Sequence, residues 1–166
     1  MANTFVKIAA VTVGSGGASS MTFSSIPQTY TDLKLLVSGR SSDGNFGYQI
    51  RLNNTTTSYS GRWIEGVSTS VSSYTNSDAL GGYLTYSTQT ANTFCNSEAY
   101  IPNYTGSSNK SYSIDTVQES NSATGVYLAM GAMLRSNTDA ITSIVLTINT
   151  LFVEYTTATL YGIKSS

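Results

Sequence analysis

The chain consists largely of short apolar runs with a period of two residues, separated by Gly, Ser, Asn and Asp. In one of these runs Leu33, Leu35 and Val37 point one way, while Asp32 and Lys34 point the other, as a half-buried strand requires. Most runs are rich in Val, Ile, Thr, Tyr or Phe, which suit strands, and helix signals are scarce. The pattern therefore predicts a protein built from β-strands.

The runs predict eleven short strands joined by loops. They cover residues 4–13, 19–24, 32–39, 46–52, 59–65, 80–86, 93–101, 110–119, 125–134, 141–153 and 158–164. So many short strands favour an all-β fold, an antiparallel β-sandwich of jelly-roll-like type. The 166 residues show no internal repeat and no shift in composition, so we expect residues 1–166 to form a single domain.

Two strands allow more specific predictions. Ile144, Leu146 and Ile148 repeat the alternation and the apolar run continues through Val153, which predicts a central strand. Leu36 breaks the alternation of its own strand. It either covers a subunit contact or lies on the outer face, where single exposed leucines are common.

Polar loops separate the strands. Residues 14–17 are Gly-Ser-Gly-Gly and predict a flexible hairpin loop, while 41–45 and 53–58 carry the residues typical of tight turns. Residues 66–79 form the longest low-complexity segment. A loop of that length is expected to be mobile or part of an interface.

The composition argues against several classes of function. The net charge is −1, charged residues make up 10% of the chain and no Lys/Arg run occurs, so nucleic acid is not an expected partner. The chain has no histidine, which excludes Ser-His-Asp triads, Cys-His pairs and His-containing metal sites. The sequence also lacks the pattern of a signal peptide and any long apolar run, so we expect folding in a cytoplasm and no membrane partner.

The remaining reactive residues favour structural roles. Asp115 and Glu119 share a strand face and could act as acid and base, but paired carboxylates on a solvated sheet are far commoner than catalytic ones. Asp43 and Asn45 resemble the start of a calcium loop without its further ligands, which favours a turn. Cys95 is interpreted as a small residue on a strand, since no histidine can activate its thiol. No catalytic residue, cofactor or metal site is predicted.

Tyrosine gives the strongest functional signal, because 12 tyrosines outnumber Phe and Trp together. Tyr and Trp are enriched at protein interfaces and sugar-binding surfaces, where an apolar ring is combined with a polar tip. The candidate interface residues are Trp63, Tyr74, Tyr83, Tyr86, Tyr100 and Tyr104. The alternative interpretation is that these side chains fill half-buried sheet positions, because tyrosine suits strands.

Three blocks of sequence resemble a known group of proteins. The blocks are MTFSSIPQTYTDLKLLVSGR (21–40), AYIPNY (99–104) and ATLYGIK (158–164). Together and in this order they resemble small β-sandwich virion structural proteins of tailed bacteriophages, especially those with aquatic and cyanobacterial hosts. The resemblance implies a head decoration or cement protein, or a fibre or knob module, with a jelly-roll-like fold and often a trimeric state. It transfers no catalytic residue.

From this resemblance we expect a non-enzymatic capsid decoration or cement protein that binds and stabilises the shell of the major capsid protein. The expected partners are the major capsid protein, other virion proteins and further copies of the chain, with a trimer favoured. The expected location is the virion, assembled in the host cytoplasm. A tail or head fibre receptor-binding module is the first alternative. A carbohydrate-binding jelly-roll module, which would bind a host-surface glycan, is the second.

Overall fold

The structure is a computed structural model that describes residues 4–44, 46–121 and 126–164. Within these residues the chain forms twelve strands and no helix. The strands are β1 (Phe5–Thr12), β2 (Ala18–Phe23), β3 (Asp32–Gly39), β4 (Gly47–Leu52), β5 (Tyr59–Val67), β6 (Ser70–Asn76), β7 (Leu80–Tyr83), β8 (Cys95–Ile101), β9 (Lys110–Gln118), β10 (Tyr127–Arg135), β11 (Ile144–Phe152) and β12 (Thr157–Ile163). The predicted all-β class is confirmed.

The strands form two antiparallel sheets of unequal size. The large sheet has the order β1-β12-β3-β8-β9-β10-β5-β6, and the small sheet has the order β2-β11-β4-β7. Side chains from both sheets, such as Leu35 of the large one and Ile50 of the small one, belong to one buried hydrophobic cluster. The predicted antiparallel β-sandwich is therefore confirmed.

The period-two strands have the predicted orientation. Leu33 and Leu35 are fully buried, while Lys34 and Leu36 are partly exposed on the opposite face. Leu36 thus lies on the outer face of the large sheet, on a strand whose neighbours are β12 and β8. β11 is an inner strand of the small sheet, between β2 and β4, which confirms its predicted central position.

The prediction of a loop over residues 66–79 is wrong. β6 lies within it and pairs with β5 at seven successive positions, forming an edge of the large sheet. Most β6 side chains are exposed, including those of Ser70, Val71, Ser72 and Ser73. An edge strand with both faces largely in solvent needs no apolar alternation, so its serine-rich sequence carried no strand signal.

The predicted hairpin over residues 14–17 is also wrong, because β1 and β2 belong to different sheets. The segment instead carries the chain from one sheet to the other through a turn, in which the Gly17 N–H donates to the Gly14 carbonyl at 3.2 Å. Gly17 has a φ of 76°, and a Cβ at this position would lie 2.8 Å from the Phe152 carbonyl oxygen. Backbone conformation and close approach both require glycine there.

The predictions for the two turn segments have different outcomes. Asn53 and Asn54 have φ values of 52° and 53°, which confirms the turn chemistry of residues 53–58. Residues 42–44 form bends, whereas Asn45 lies outside the described residues, as does Gly125 at the start of a predicted strand.

Two buried cations fix loops at one end of the large sheet. Lys110 and Arg135 are directly opposite each other on β9 and β10, and are 1% and 2% exposed. The Lys110 ammonium donates to the carbonyls of Gly106 (2.6 Å) and Ser108, and burial, followed by the charge of Arg135, lowers its pKa. The Arg135 Nε donates to the Thr55 hydroxyl at 3.2 Å. Both cations therefore bind atoms of neighbouring loops.

Cys95 lies at the start of β8, as predicted, and is 2% exposed. Burial raises the pKa of its thiol from 9.0 to about 12. The thiolate is the form that reacts with electrophiles, so this cysteine has low reactivity in the folded protein.

We expect Cys95 in the native protein to react with iodoacetamide at least about 1000-fold more slowly than the unfolded chain, because a shift of about three pKa units lowers the thiolate fraction by that factor. The measurement is alkylation at mildly alkaline pH, followed by mass spectrometry, with and without concentrated guanidinium chloride. Equal rates under the two conditions would contradict the buried position.

Candidate functional site on the outer face of the large sheet

Three of the six predicted interface residues lie in the core. Trp63, Tyr83 and Tyr104 are 2%, 7% and 0% exposed. Trp63 occupies an inward-facing position of β5, and its ring packs against Gly131, the residue directly opposite on β10. These side chains fill the sandwich, so they do not present their rings to a partner. This corrects their assignment to an exposed interface.

Four of the predicted residues nevertheless come together. Trp63, Tyr74, Tyr83 and Tyr86 belong to a cluster that also contains Phe46 and Tyr127. The Phe46 ring centroid lies 4.9 Å from that of Tyr127 and 5.2 Å from that of Tyr83. Distances of this kind are typical of favourable aromatic packing. The cluster stabilises the interior between β5, β7 and β10.

The polar tips of this cluster are satisfied inside the protein. The Glu65 carboxylate accepts hydrogen bonds from the hydroxyls of Tyr83 (2.6 Å), Ser72 (3.1 Å) and Tyr74 (3.4 Å). The two tyrosine hydroxyls also bond to each other. Burial, and then the bond to Glu65, raises the pKa of Tyr83, so its hydroxyl remains a donor. Because the hydroxyls are used internally, the arrangement holds the β5–β6 hairpin to the core.

The other two predicted residues lie elsewhere. The Tyr104 hydroxyl donates to the Pro27 carbonyl, which explains how this buried tyrosine is satisfied. Tyr100 is 38% exposed on the outer face of the large sheet, and its hydroxyl donates to the Asp32 carboxylate at 2.7 Å. Exposed aromatic surface suitable for a partner is therefore present at Tyr100, and in part at Tyr74 and Tyr86.

The outer face of the large sheet carries a contiguous apolar patch that the sequence analysis did not identify. Its five side chains are 40–76% exposed and come from the adjacent strands β9, β10, β5 and β6. This apolar patch consists of Ile64, Val71, Val117, Leu128 and Met130.

The strand register brings the patch together. Met130 is directly opposite Ile64, and Leu128 is directly opposite Val117. On the other side of Leu128 lies Gly66, which is in turn opposite Val71. Directly opposed side chains in antiparallel strands are in contact distance, and diagonal neighbours such as Ile64 and Val71 are about 7–8 Å apart, so the five residues line one region of the face.

The patch is unusual because of its clustering. Outward positions of a half-buried antiparallel sheet are normally polar, and single exposed apolar residues require no explanation. Here five of the nine large hydrophobic residues exposed in the described chain share one corner of one sheet. Exposed apolar clusters rimmed by polar groups are typical of interaction surfaces.

Polar and charged residues surround the patch. Asp115 lies directly opposite Met130, and next to it Glu98 forms an ion pair with Lys34 at 3.0 Å. Eight strands about 4.8 Å apart, each with three or four outward residues about 7 Å apart, give a face of roughly 800–1,100 Å². A standard protein interface buries about 800 Å² per partner, around a core that is more apolar than its rim. The face has the size of such an interface, with its apolar part at one corner.

A groove of about 530 Å³ adjoins the patch on the same face. Its floor includes Ala132 and Leu134, and its polar lining includes Ser60, Arg62 and Ser111. The exposed Arg62 guanidinium forms no ion pair or hydrogen bond with the described residues. The groove therefore offers one free cation beside several hydroxyl groups.

Among the described residues, no group of three or more His, Cys, Asp or Glu side chains could hold a metal ion. Within the same ranges, no helix is long and apolar enough to cross a membrane. No family model, no curated protein and no solved structure matches the chain.

Proposed function

We propose that the protein is a non-enzymatic bacteriophage virion component that decorates the capsid shell, and that it docks onto the shell through the outer face of the large sheet. The observation that carries this proposal is the apolar patch of Ile64, Val71, Val117, Leu128 and Met130. A decoration protein needs a rigid, partly apolar surface rather than reactive groups. A patch built on paired strands supplies such a surface without an ordering cost on binding.

The three sequence blocks that resemble virion proteins also support the proposal, because they form the part of the fold that lies next to the patch. They contain β3, the last three residues of β8 and all but the first residue of β12, and these strands are adjacent in the large sheet in the order β12-β3-β8. The blocks also contact one another outside the strand pairing, since Asp32 accepts a hydrogen bond from the Asn103 N–H at 2.9 Å and Tyr30 packs on Gly162. Most of the three blocks thus forms one contiguous part of the large sheet, and the patch lies on the strands beside it.

The low charge of the chain also suits docking onto a shell. Charged residues are depleted in the cores of protein interfaces, because their desolvation is costly. Arg62 and Asp115 flank the patch at its rim and can remain hydrated when the patch is buried. The proposed partner surface on the major capsid protein is accordingly apolar at its centre and polar around it.

The copy number per particle tests this proposal. We expect quantitative mass spectrometry of purified particles to find hundreds of copies of the chain, which is the stoichiometry of a shell component. A value of a few tens or fewer would contradict decoration and would favour a tail or fibre position.

A receptor-binding module is the second candidate, and the groove beside Arg62 favours it. A free guanidinium binds carboxylates well, and neighbouring hydroxyls can bond to sugar hydroxyls, so the groove suits an acidic glycan. Binding of the protein to host cells but not to shells, with loss of cell binding in Arg62→Gln, would establish this alternative.

A further inference from the structure

We infer that β6 is a self-association edge: the β6 strands of two copies of the chain pair in antiparallel fashion and join their large sheets. The inference goes beyond capsid binding, because it concerns a different surface, the backbone edge of the sheet rather than its face. Four strands lie at sheet edges: β1 and β6 in the large sheet, and β2 and β7 in the small sheet.

Three of these edges are irregular. The pairing of β1 with β12 shifts register between Lys7 and Ala9, and β1 also carries the charge of Lys7. The pairings of β2 with β11 and of β7 with β4 shift register as well. Bulges and charges are the usual devices that prevent an edge strand from pairing with another chain.

β6 has none of these devices. Its seven residues, Ser70–Asn76, include no charged residue and no proline, and they pair with β5 without a register shift. Its outward-facing Val71 is 76% exposed, the largest value among the exposed large hydrophobic residues of the described chain. A long, regular and neutral edge offers a row of backbone donors and acceptors that fits another strand.

Symmetry favours a second copy of the chain as the partner. In an antiparallel pair with a two-fold axis, one residue lies opposite itself, and the side chains of each face stay on that face. An axis at Ser73 pairs all seven residues: Val71 faces Thr75 and Ser72 faces Tyr74 of the second copy. No like charges meet in this register, because β6 carries none.

The expected association is weak in solution. A strand of seven residues is about 24 Å long, and pairing along one such edge buries less than the roughly 1,200 Å² of a stable interface. Copies held side by side on a particle would pair far more readily, since tethering raises their effective concentration. This last step rests on the proposed decoration function, but the pairing itself does not.

Cross-linking of a Ser73→Cys variant tests the inference. Residues opposite each other in an antiparallel pair have Cα atoms about 4.5–5.5 Å apart, which suits a disulfide. Under mild oxidation at high protein concentration, we expect Ser73→Cys to form disulfide-linked dimers at least about tenfold faster than the control Ser113→Cys, an exposed position on β9. Cys95 is buried and does not compete.

A charge variant gives an independent readout. Val71→Lys combined with Thr75→Lys places like charges directly opposite each other twice across the axis, which opposes pairing. In analytical ultracentrifugation we expect the wild type to form a concentration-dependent dimer and this variant to remain monomeric, while circular dichroism and melting temperature show an intact fold.

Equal cross-linking of Ser73→Cys and Ser113→Cys, or a wild type that stays monomeric at millimolar concentration, would overturn the inference. Both measurements are made without shells, so their outcome is separate from that of the proposed function. A chain that pairs but does not bind shells would support the inference alone. A chain that binds shells while Ser73→Cys fails to cross-link would refute the inference alone.

Discussion

Replacing both Leu128 and Met130 by threonine is expected to weaken shell binding by about thirtyfold. Full burial of a Leu or Met side chain contributes about 1.5–3 kcal/mol, and just over half of each of these side chains remains to be buried, so we expect a loss of about 1 kcal/mol per position. About 2 kcal/mol corresponds to the stated factor in the dissociation constant. Threonine suits strands, so the sheet itself should be preserved.

The same double variant should keep the stability of the wild type. Leu128 and Met130 are 58% and 57% exposed, and substitutions at such positions usually change the free energy of unfolding by less than about 0.5 kcal/mol. The matched control is Tyr155→Asn, which removes an apolar ring that is 70% exposed but lies outside the large sheet. Equal losses of binding in the control and in the double variant would show that the patch is not the docking surface.

Replacing Trp63 by alanine is expected to destabilise the fold rather than to remove a contact with a partner. The Trp63 ring is 2% exposed and packs on Gly131, where a Cβ would lie 2.7 Å from the ring. Truncation of a buried tryptophan costs about 3–5 kcal/mol. The indole N–H has no hydrogen-bond partner in the described protein, so the lower part of that range is expected.

The measurement for Trp63→Ala is the melting temperature, which should fall by roughly 6–16 °C for a chain of this size. Tyr100→Ala is the matched control, because Tyr100 is 38% exposed and donates one hydrogen bond to Asp32. That variant should lose about 1–2 kcal/mol, because its bond to a carboxylate is exposed to solvent. A Trp63→Ala protein with unchanged melting temperature and lost binding would instead restore Trp63 to an interface.

The sheet architecture could be predicted from the sequence where one face of a strand is buried. Leu33, Leu35 and Ile144 sit in alternating positions, and their strands were placed correctly. β6 could not be found in this way, because neither of its faces is fully covered. The sequence also could not show that residues 14–17 connect the two sheets, since glycine is compatible both with a hairpin and with a turn between sheets.

The candidate site was harder to predict than the fold. Tyrosine and tryptophan occur both in protein cores and at interfaces, so their number in the sequence does not tell the two apart. Trp63 and Tyr83 lie in the core. The sequence of β10 does indicate the patch, because this strand is apolar on both faces. Leu128 and Met130 point outward, while Ala129 and Met133 point into the core. In a sheet with one face in solvent, that double pattern indicates a covered outer surface. The contribution of Val71 required knowledge of the β5–β6 pairing.

Co-sedimentation of the purified protein with expanded, undecorated capsids tests the central claim most directly. We predict saturable binding at hundreds of copies per shell, a higher melting temperature of the decorated shell, and about thirtyfold weaker binding of the Leu128→Thr, Met130→Thr variant. A wild-type protein that stays in the supernatant, or a double variant that sediments with shells as well as the wild type does, would contradict the account.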